Sequence, residues 1–350
     1  MENHSNKINY SVLDVAPVSQ GSTASETFEK SMQLAKHTEE LGYTRIWFAE
    51  HHNMLNIASS ATPVLIGYIA GGTSKIRVGS GGIMLPNHSP LIVAEQFATL
   101  SLLYPKRIDL GLGRAPGTDP ETAYAIRSDR NASVLNFPEE INRIQQYLSP
   151  ENSSAKVRVP FAEGLQIPMY ILGSSTDSAW LAAKKGLPYA FASHFSTSQL
   201  FEALNIYTNE FKPSPFLNEP YTIACINVIA ADTDAEAERL STSLLRMFLN
   251  ILTAKPDYIQ APTEMTSQLK ELWMHPSVQQ MLKYTFVGSQ ETVRKKTEEF
   301  IKQTGVNELM VVTNTYDQHD RLKSYRIFAD IMKETGVFNT PEGRPQSTPS

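Results

Sequence analysis

Cysteine is almost absent: Cys225 stands alone in 350 residues, which excludes an intrachain disulfide framework and any zinc site built from several thiolates. Cationic excess is absent too, since 31 Lys and Arg face 36 Asp and Glu for a formal net charge of -5. No basic stripe with interleaved aromatics marks a nucleic-acid surface. No apolar run approaches the roughly 20 residues of a membrane span. Residues 1–9 are polar and lack the apolar core of a secretion signal, so the cytoplasm is the expected location. Residues 16–25 lack the G-x-G-x-x-G turn that a doubly wound dinucleotide fold carries after its first strand.

What is present supports a large core, with 41% hydrophobic and 19% charged residues. Length alone admits two average domains or one α/β barrel, so the order of elements decides. Residues 8–15 carry β-branched side chains up to Ala16-Pro17 and read as a strand. Met32, Leu34, Ala35 and Leu41 then repeat at helical spacing up to a stop at Gly42. Further strands are expected over 44–49, 76–79, 108–112, 168–172, 189–192, 221–231 and 308–313. The intervening helices are expected over 61–70, 90–103, 138–147, 177–185, 199–211, 234–252 and 292–304, with a closing helix over 321–335.

Eight strands alternating with helices fit a (β/α)8 TIM barrel in one domain, residues 1–338. Residues 115–166 and 255–283 depart from the alternation and read as insertions after strand four and after strand seven; the second has the length of a lid. Residues 339–350 are rich in Pro, Gly and Ser and read as a disordered tail.

In such a barrel the site lies at the C-terminal ends of the strands. Those ends offer Asp14, then Glu50-His51-His52-Asn53, Ser80-Gly81-Gly82, Arg114, Ser174-Ser175, His194 and Asn227. The two adjacent imidazoles admit a metal, a general base or a structural role, but neighbours on a strand point to opposite faces and do not readily share one ion. Glycines 79, 81 and 82 allow close approach of a flat ligand, or make an ordinary turn. Arg114 suits a phosphate fork or a surface ion pair. The Gly173-Ser174-Ser175-Thr176 turn suits an anion at a helix N-terminus, or an everyday cap.

Five motifs in order carry a resemblance: Trp47-Phe48-Ala49-Glu50-His51-His52, Val78-Gly79-Ser80-Gly81-Gly82-Ile83-Met84-Leu85-Pro86, Ala94-Glu95-Gln96, Gly111-Leu112-Gly113-Arg114-Ala115-Pro116-Gly117 and Ile171-Leu172-Gly173-Ser174-Ser175. Together they resemble the bacterial luciferase-like flavin monooxygenases, in particular the non-luminescent members. Gly113 stands where luciferases proper carry a cysteine, so light emission is not expected.

The resemblance implies FMN, used as FMNH2 from a separate flavin reductase, and O2 as co-substrate. It implies a flavin C4a-hydroperoxide that passes one oxygen atom to a small organic substrate. His51 then stands by the flavin as the catalytic group. Gly81-Gly82 is the expected cis peptide under the ring, with Ser80 beside it. Arg114, Gly173, Ser174, Ser175 and Ser178 are expected at the phosphate. Glu50, His52, His88 and His194 are expected to touch substrate or to support groups that do. A homodimer through helices two and three is implied, for which Leu65, Ile66, Ile69, Ile92 and Phe97 are available unless they face the barrel. Related barrels use the deazaflavin F420 for hydride transfer, and a non-catalytic flavin-binding protein would share the phosphate end. These remain alternatives.

Overall fold

Short buried runs punctuated by helix caps generate the alternation. The computed structural model of this chain describes residues 8–253 and 255–334; the tail expected over 339–350 lies outside them. In order come β1 (Asn9–Asp14), α1 (Ala24–Leu41), β2 (Arg45–Phe48), α2 (Thr62–Gly72), β3 (Arg77–Ser80), the two-residue β4 (Ile83–Met84) and α3 (Pro90–Leu103). Then follow β5 (Ile108–Gly113), α4 (Pro120–Ile126), α5 (Arg130–Leu135), α6 (Phe137–Leu148), β6 (Met169–Gly173), α7 (Thr176–Lys185), β7 (Tyr189–Phe191), α8 (Leu200–Glu210) and β8 (Thr222–Ala230). The chain continues through α9 (Asp234–Leu252), α10 (Ser267–Met274), α11 (Pro276–Met281), β9 (Thr285–Gly288), α12 (Gln290–Thr304), β10 (Glu308–Val312) and α13 (Gln318–Glu334).

The local chemistry is legible at the boundaries. Thr23 and Glu26 form a reciprocal capping box at the start of α1, and Gly42 ends it in the left-handed region at φ 84°. Proline opens α3, where a missing N–H costs nothing.

All pairings among the named strands are parallel, and eight of the strands close in the order β1-β2-β3-β5-β6-β7-β8-β10, with β10 returning to β1. This is the (β/α)8 barrel. Its C-terminal strand ends therefore lie on one rim. The nine-residue β8 does double service: Asn227 pairs with Val312 of β10 and also with Thr285 of β9, so the outer half of β8 extends past β7 to hold β9.

Strand β9 was not expected, and neither was the order in the insertion that precedes it. Residues 255–283 carry α10 and α11, which pack with α9 around Leu240, Leu244 and Leu245, and Ile259 is clamped to Val18 and Gln20 by backbone hydrogen bonds. The insertion after strand four holds α4 and α5 besides the one helix expected there, α6.

Side chains alternate along each strand. Trp47, Tyr170, Cys225 and Met310 fill the barrel, whereas Ile46, Phe48, Val78 and Leu110 pack outward beneath the helices. At the N-terminal end of the barrel the interior is polar. Arg45 donates to Glu308 at 2.9 Å, to Asp109 at 2.9 Å and to the Tyr170 hydroxyl at 2.5 Å, while Trp47 Nε1 donates to Asp109 at 3.0 Å. Burial works against the Arg45 charge, but the Glu308 and Asp109 carboxylates more than compensate and hold its pKa well above the ordinary value. Burial likewise pushes the Cys225 thiol up, which suits the core residue expected there.

Of the residues named for a dimer face, Leu65, Ile66, Ile69 and Phe97 are buried against the barrel and Ile92 alone is exposed. The outer faces of α2 and α3 instead present Val64, Tyr68, Ile92, Leu102 and Leu103. No described helix is long and apolar enough to cross a membrane.

Candidate active site

The rim is built on glycine. Strands β3 and β5 approach so closely that a Cβ on Gly111 would lie 2.1 Å from the Ser80 carbonyl oxygen, and one on Gly79 would lie 2.5 Å from that of Asp109. The peptide between Gly81 and Gly82 is cis, as expected from the motif. A Cβ on Gly82 would lie 2.8 Å from the Gly111 carbonyl oxygen, so this stretch accepts no side chain. Ser80 is fully buried; its hydroxyl donates to the Gly111 carbonyl and accepts from the Gly111 N–H, both at 2.9 Å. Ser80 therefore fixes the strands, its hydroxyl already engaged with both backbone groups of Gly111.

Glu50, at the end of β2, gathers four donors. The Nε2 atoms of His52 and His88 lie 2.9 and 2.8 Å from its carboxylate, Met84 N–H donates at 3.0 Å, and the Asn87 amide donates at 3.3 Å. Burial pushes the Glu50 carboxyl up, yet the hydrogen bonds from His52 and His88 bring it down to about 2. Both imidazoles are thus oriented by one carboxylate. Gly117, with φ 66°, packs its backbone on this cluster: its carbonyl accepts from His52 N–H at 3.1 Å, and a Cβ there would meet the Glu50 carbonyl at 2.5 Å. The motif after strand four is in this way bolted to the motif after strand two.

His51 points elsewhere. Its Nδ1 is buried and has no hydrogen-bond partner among the described residues. Burial lowers its pKa, opposed by the Gly117 carbonyl and the Glu50 carboxylate, so the ring is neutral at pH 7. His194, just beyond β7, has the same property: its Nδ1 is buried without a partner, and burial, with His51 nearby, lowers its pKa to about 3. Two more such atoms, Asp14 Oδ2 at the last residue of β1 and Asn314 Oδ1 beyond β10, belong to this end of the barrel. Asn314 carried no local sequence signal; only its position two residues after β10 places it on the rim. Asn227 serves as a support, its amide donating to the His194 carbonyl at 2.6 Å.

The opposite side of the rim brings a guanidinium to a helix N-terminus. Arg114 leaves β5 beside the first turn of α7, with Asp177 at 3.4 Å. Ser175 occupies the N-cap of α7 with extended backbone and without a side-chain bond to the helix, so the first amides of α7 are not satisfied by their own cap. Ser178 turns inward, donating to the Ser175 carbonyl at 2.6 Å and meeting the Tyr189 hydroxyl at 3.0 Å. The Ser178 hydroxyl is thereby committed to the turn. Gly173 is required beside it, since a Cβ there would lie 2.0 Å from Ser178 Oγ. The Ser174 carbonyl accepts from Ser196 at 3.4 Å. A guanidinium thus stands beside the uncapped N-terminus of a helix, a combination whose chemistry suits an anion.

Residues 8–308 match the sequence family described as luciferase-like monooxygenase. A Bacillus subtilis (strain 168) protein of uncharacterised function, YvbT, is 49% identical over 92% of this chain and 96% of its own length. An Escherichia coli (strain K12) luciferase-like monooxygenase is 44% identical over 93% of this chain and 98% of its own. The solved structure of apo-MsnO8 superposes with TM-score 0.84 at 35% identity, covering 94% of this chain and 99% of that one. The fold recurs at 18% identity in the FMN complex of the oxygenating constituent of 3,6-diketocamphane monooxygenase from Pseudomonas putida (TM-score 0.68; 94% of this chain, 97% of that one). It recurs at 16% in an F420-dependent secondary alcohol dehydrogenase (TM-score 0.67; 95% and 100%).

Proposed function

The chain belongs to the luciferase-like monooxygenase family, and from that premise we propose that it is an FMN-dependent enzyme that inserts one oxygen atom of O2 into a small organic substrate. The observation that carries this reading is one rim holding an anion grip, a side-chain-free glycine floor and an unpaired neutral imidazole. Around the barrel these stand in order: His51 after β2, Gly81-Gly82 after β3, Arg114 after β5 and the α7 amides after β6. A flavin needs a phosphate site, a flat bed and a polar group at its reacting edge.

Arg114 and the backbone of Ser174 and Ser175 would hold the FMN phosphate, and Gly81-Gly82 would lie under the ring. Bound in its reduced form, FMN supplies the two electrons with which O2 delivers one oxygen atom to the substrate and the other to water. The residues do the rest. His51, neutral at working pH, holds or accepts a proton at Nδ1. Glu50 fixes His52 and His88 beside it, and the segment with α10 and α11 closes over the outer half of β8. The reading includes a separate reductase and a second copy of this chain packed on Val64, Tyr68, Ile92, Leu102 and Leu103.

The test is an equilibrium titration with FMN and with FMNH2 under anaerobic conditions. Arg114→Ala is expected to weaken binding at least about tenfold, equivalent to roughly 1.4 kcal/mol for a charge-assisted contact. An unchanged dissociation constant removes Arg114 from the site. Tight binding of F420 with none of FMN overturns the cofactor assignment.

A further inference from the structure

From His51 to Ala61 the chain beyond β2 is irregular, and Ser59 is the one residue of that stretch that is buried. A lone buried residue in a loop is usually apolar. This one is a serine whose two oxygens both return to the start of the loop. Its hydroxyl donates to the Ala49 carbonyl at 2.5 Å, and its own carbonyl accepts from the His51 N–H at 2.9 Å. Those two partners flank Glu50. We propose that Ser59 is a positioning residue, which aims the Glu50 carboxylate into its cluster and places the backbone from which the His51 ring projects. Its bearing on the reaction rests on the reading that His51 acts beside the flavin.

Peptide planarity turns these two hydrogen bonds into an orientation. The one cis bond among the described residues joins Gly81 and Gly82, so the peptides on either side of Glu50 are trans, with C=O and N–H pointing in opposite directions. The Ser59 hydroxyl holds the first plane by its C=O, and the Ser59 carbonyl holds the second by its N–H. The opposite edge of the second plane, the Glu50 carbonyl, accordingly faces Gly117, where a Cβ would lie 2.5 Å from it. With both planes held, φ and ψ of Glu50 are held, and with them the direction of its Cα–Cβ bond. That direction delivers the carboxylate to His52 at 2.9 Å, His88 at 2.8 Å and the Met84 N–H at 3.0 Å.

Ser59 is itself anchored from behind. Residues 56–58 pair with the segment after β1: Val18 N–H donates to the Asn56 carbonyl at 2.9 Å, and Ala58 N–H donates to the Ala16 carbonyl at 3.0 Å. Ala16 presents that carbonyl from a left-handed backbone, φ 51°, uncommon for a residue with a Cβ. The Asp14 carboxylate holds it there, accepting from Ala16 N–H at 2.7 Å while paired with Arg321 at 2.8 Å. Thr62 Oγ1 also donates to the Ala49 carbonyl, at 3.2 Å, but of the two residues Ser59 is the one that accepts from His51 as well. Buried and engaged with Ala49, the Ser59 hydroxyl acts through Glu50 and His51 and touches no ligand.

Nuclear magnetic resonance on 15N-histidine-labelled protein tests this before any cofactor is added. Ser59→Ala is expected to move the ring resonances of His51, His52 and His88 and to leave those of His37 on α1 and His319 on α13 where they were. Ser59→Thr, which keeps the hydroxyl, should restore them. With FMNH2 added, Ser59→Ala should slow the reaction with O2 at least about fivefold, while the FMN dissociation constant changes by less than about twofold. Unmoved resonances of His51, His52 and His88, movement spread equally to His37 and His319, or movement that Ser59→Thr does not restore overturns the inference. If Ser59→Ala does not fold, Ser59→Cys, which keeps the shape and donates only weakly, takes its place. Moved resonances with FMN bound and an unchanged reaction with O2 remove His51 from the flavin chemistry and leave Ser59 as the residue that aims it; unmoved resonances in protein that binds FMN do the reverse.

Discussion

Glu50 and His88, 38 residues apart in sequence, meet at 2.8 Å, and His52 reaches the same carboxylate from the other flank at 2.9 Å. The contact ties the end of β2 to the segment after β4, and it has a pH signature. The Glu50 carboxyl sits at about 2 in the folded chain, below the roughly 4.3 of an unfolded glutamate. Its contribution is therefore fully present above the unfolded value and is lost as pH falls towards 2. In Glu50→Gln this slope disappears. The variant is expected to be less stable at pH 7 by about 1–3 kcal/mol. The gap should narrow by about 2 kcal/mol between pH 7 and pH 3. Urea unfolding at both pH values checks this; parallel stability profiles would assign the carboxylate a merely steric role.

Much of the barrel was legible because local chemistry and global fold agree. Gly42 stops α1, Pro90 starts α3, and the run from Ile46 to Phe48 is apolar because both faces of β2 are covered. What escaped detection depends on distant partners. The four residues of β9 do not alternate and become a strand only through the outer half of β8, 58 residues earlier at the Asn227 and Thr285 pair. In the insertion after strand four, Asp119 followed by Pro120 was a usable helix start for α4, whereas the six-residue α5 has no side-chain cap to announce it. Arg114, the turn before α7 and the close-packed glycines were readable as strand ends. That the Ser80 and Ser178 hydroxyls turn inward was not, because Gly111 and Tyr189 claim them only in three dimensions.

Arg45 opens β2 as a charged residue in a barrel interior, explained only by Asp109 and Glu308, 64 and 263 positions away. Arg45→Met keeps much of the volume, leaves the buried Glu308 carboxylate without its cation and leaves Asp109 with Arg77 alone. The expected cost is about 3–5 kcal/mol in urea unfolding at pH 7. Because the network lies at the end of the barrel away from the rim, the FMN dissociation constant should change by less than about threefold. A large loss of affinity with unchanged stability would contradict that placement.

Two glycine-to-alanine changes separate close packing from backbone strain. At Gly111 a Cβ meets the Ser80 carbonyl at 2.1 Å, and backbone cannot step aside. At Gly305 the space is open and only φ 62° opposes a side chain. Gly305→Ala should cost about 1 kcal/mol, while Gly111→Ala should exceed about 4 kcal/mol or prevent folding. Equal melting temperatures for the two variants would mean that β3 and β5 are not held as close as described.

Asp177 stands in the first turn of α7, exposed, with its carboxylate 3.4 Å from Arg114. Its negative charge would oppose an anion arriving at Arg114, and it already competes for the guanidinium. Asp177→Asn keeps the shape and removes that charge. If Arg114 and α7 hold the FMN phosphate, the variant should bind FMN about two- to fivefold more tightly at low ionic strength, the scale of a charge at a helix terminus. The gain should shrink as salt screens the pair. Riboflavin, which lacks the phosphate, should bind both proteins alike. Titrations with the two flavins over a range of salt concentrations decide between this and a purely structural pairing, for which removing the carboxylate would loosen Arg114 and weaken FMN binding instead.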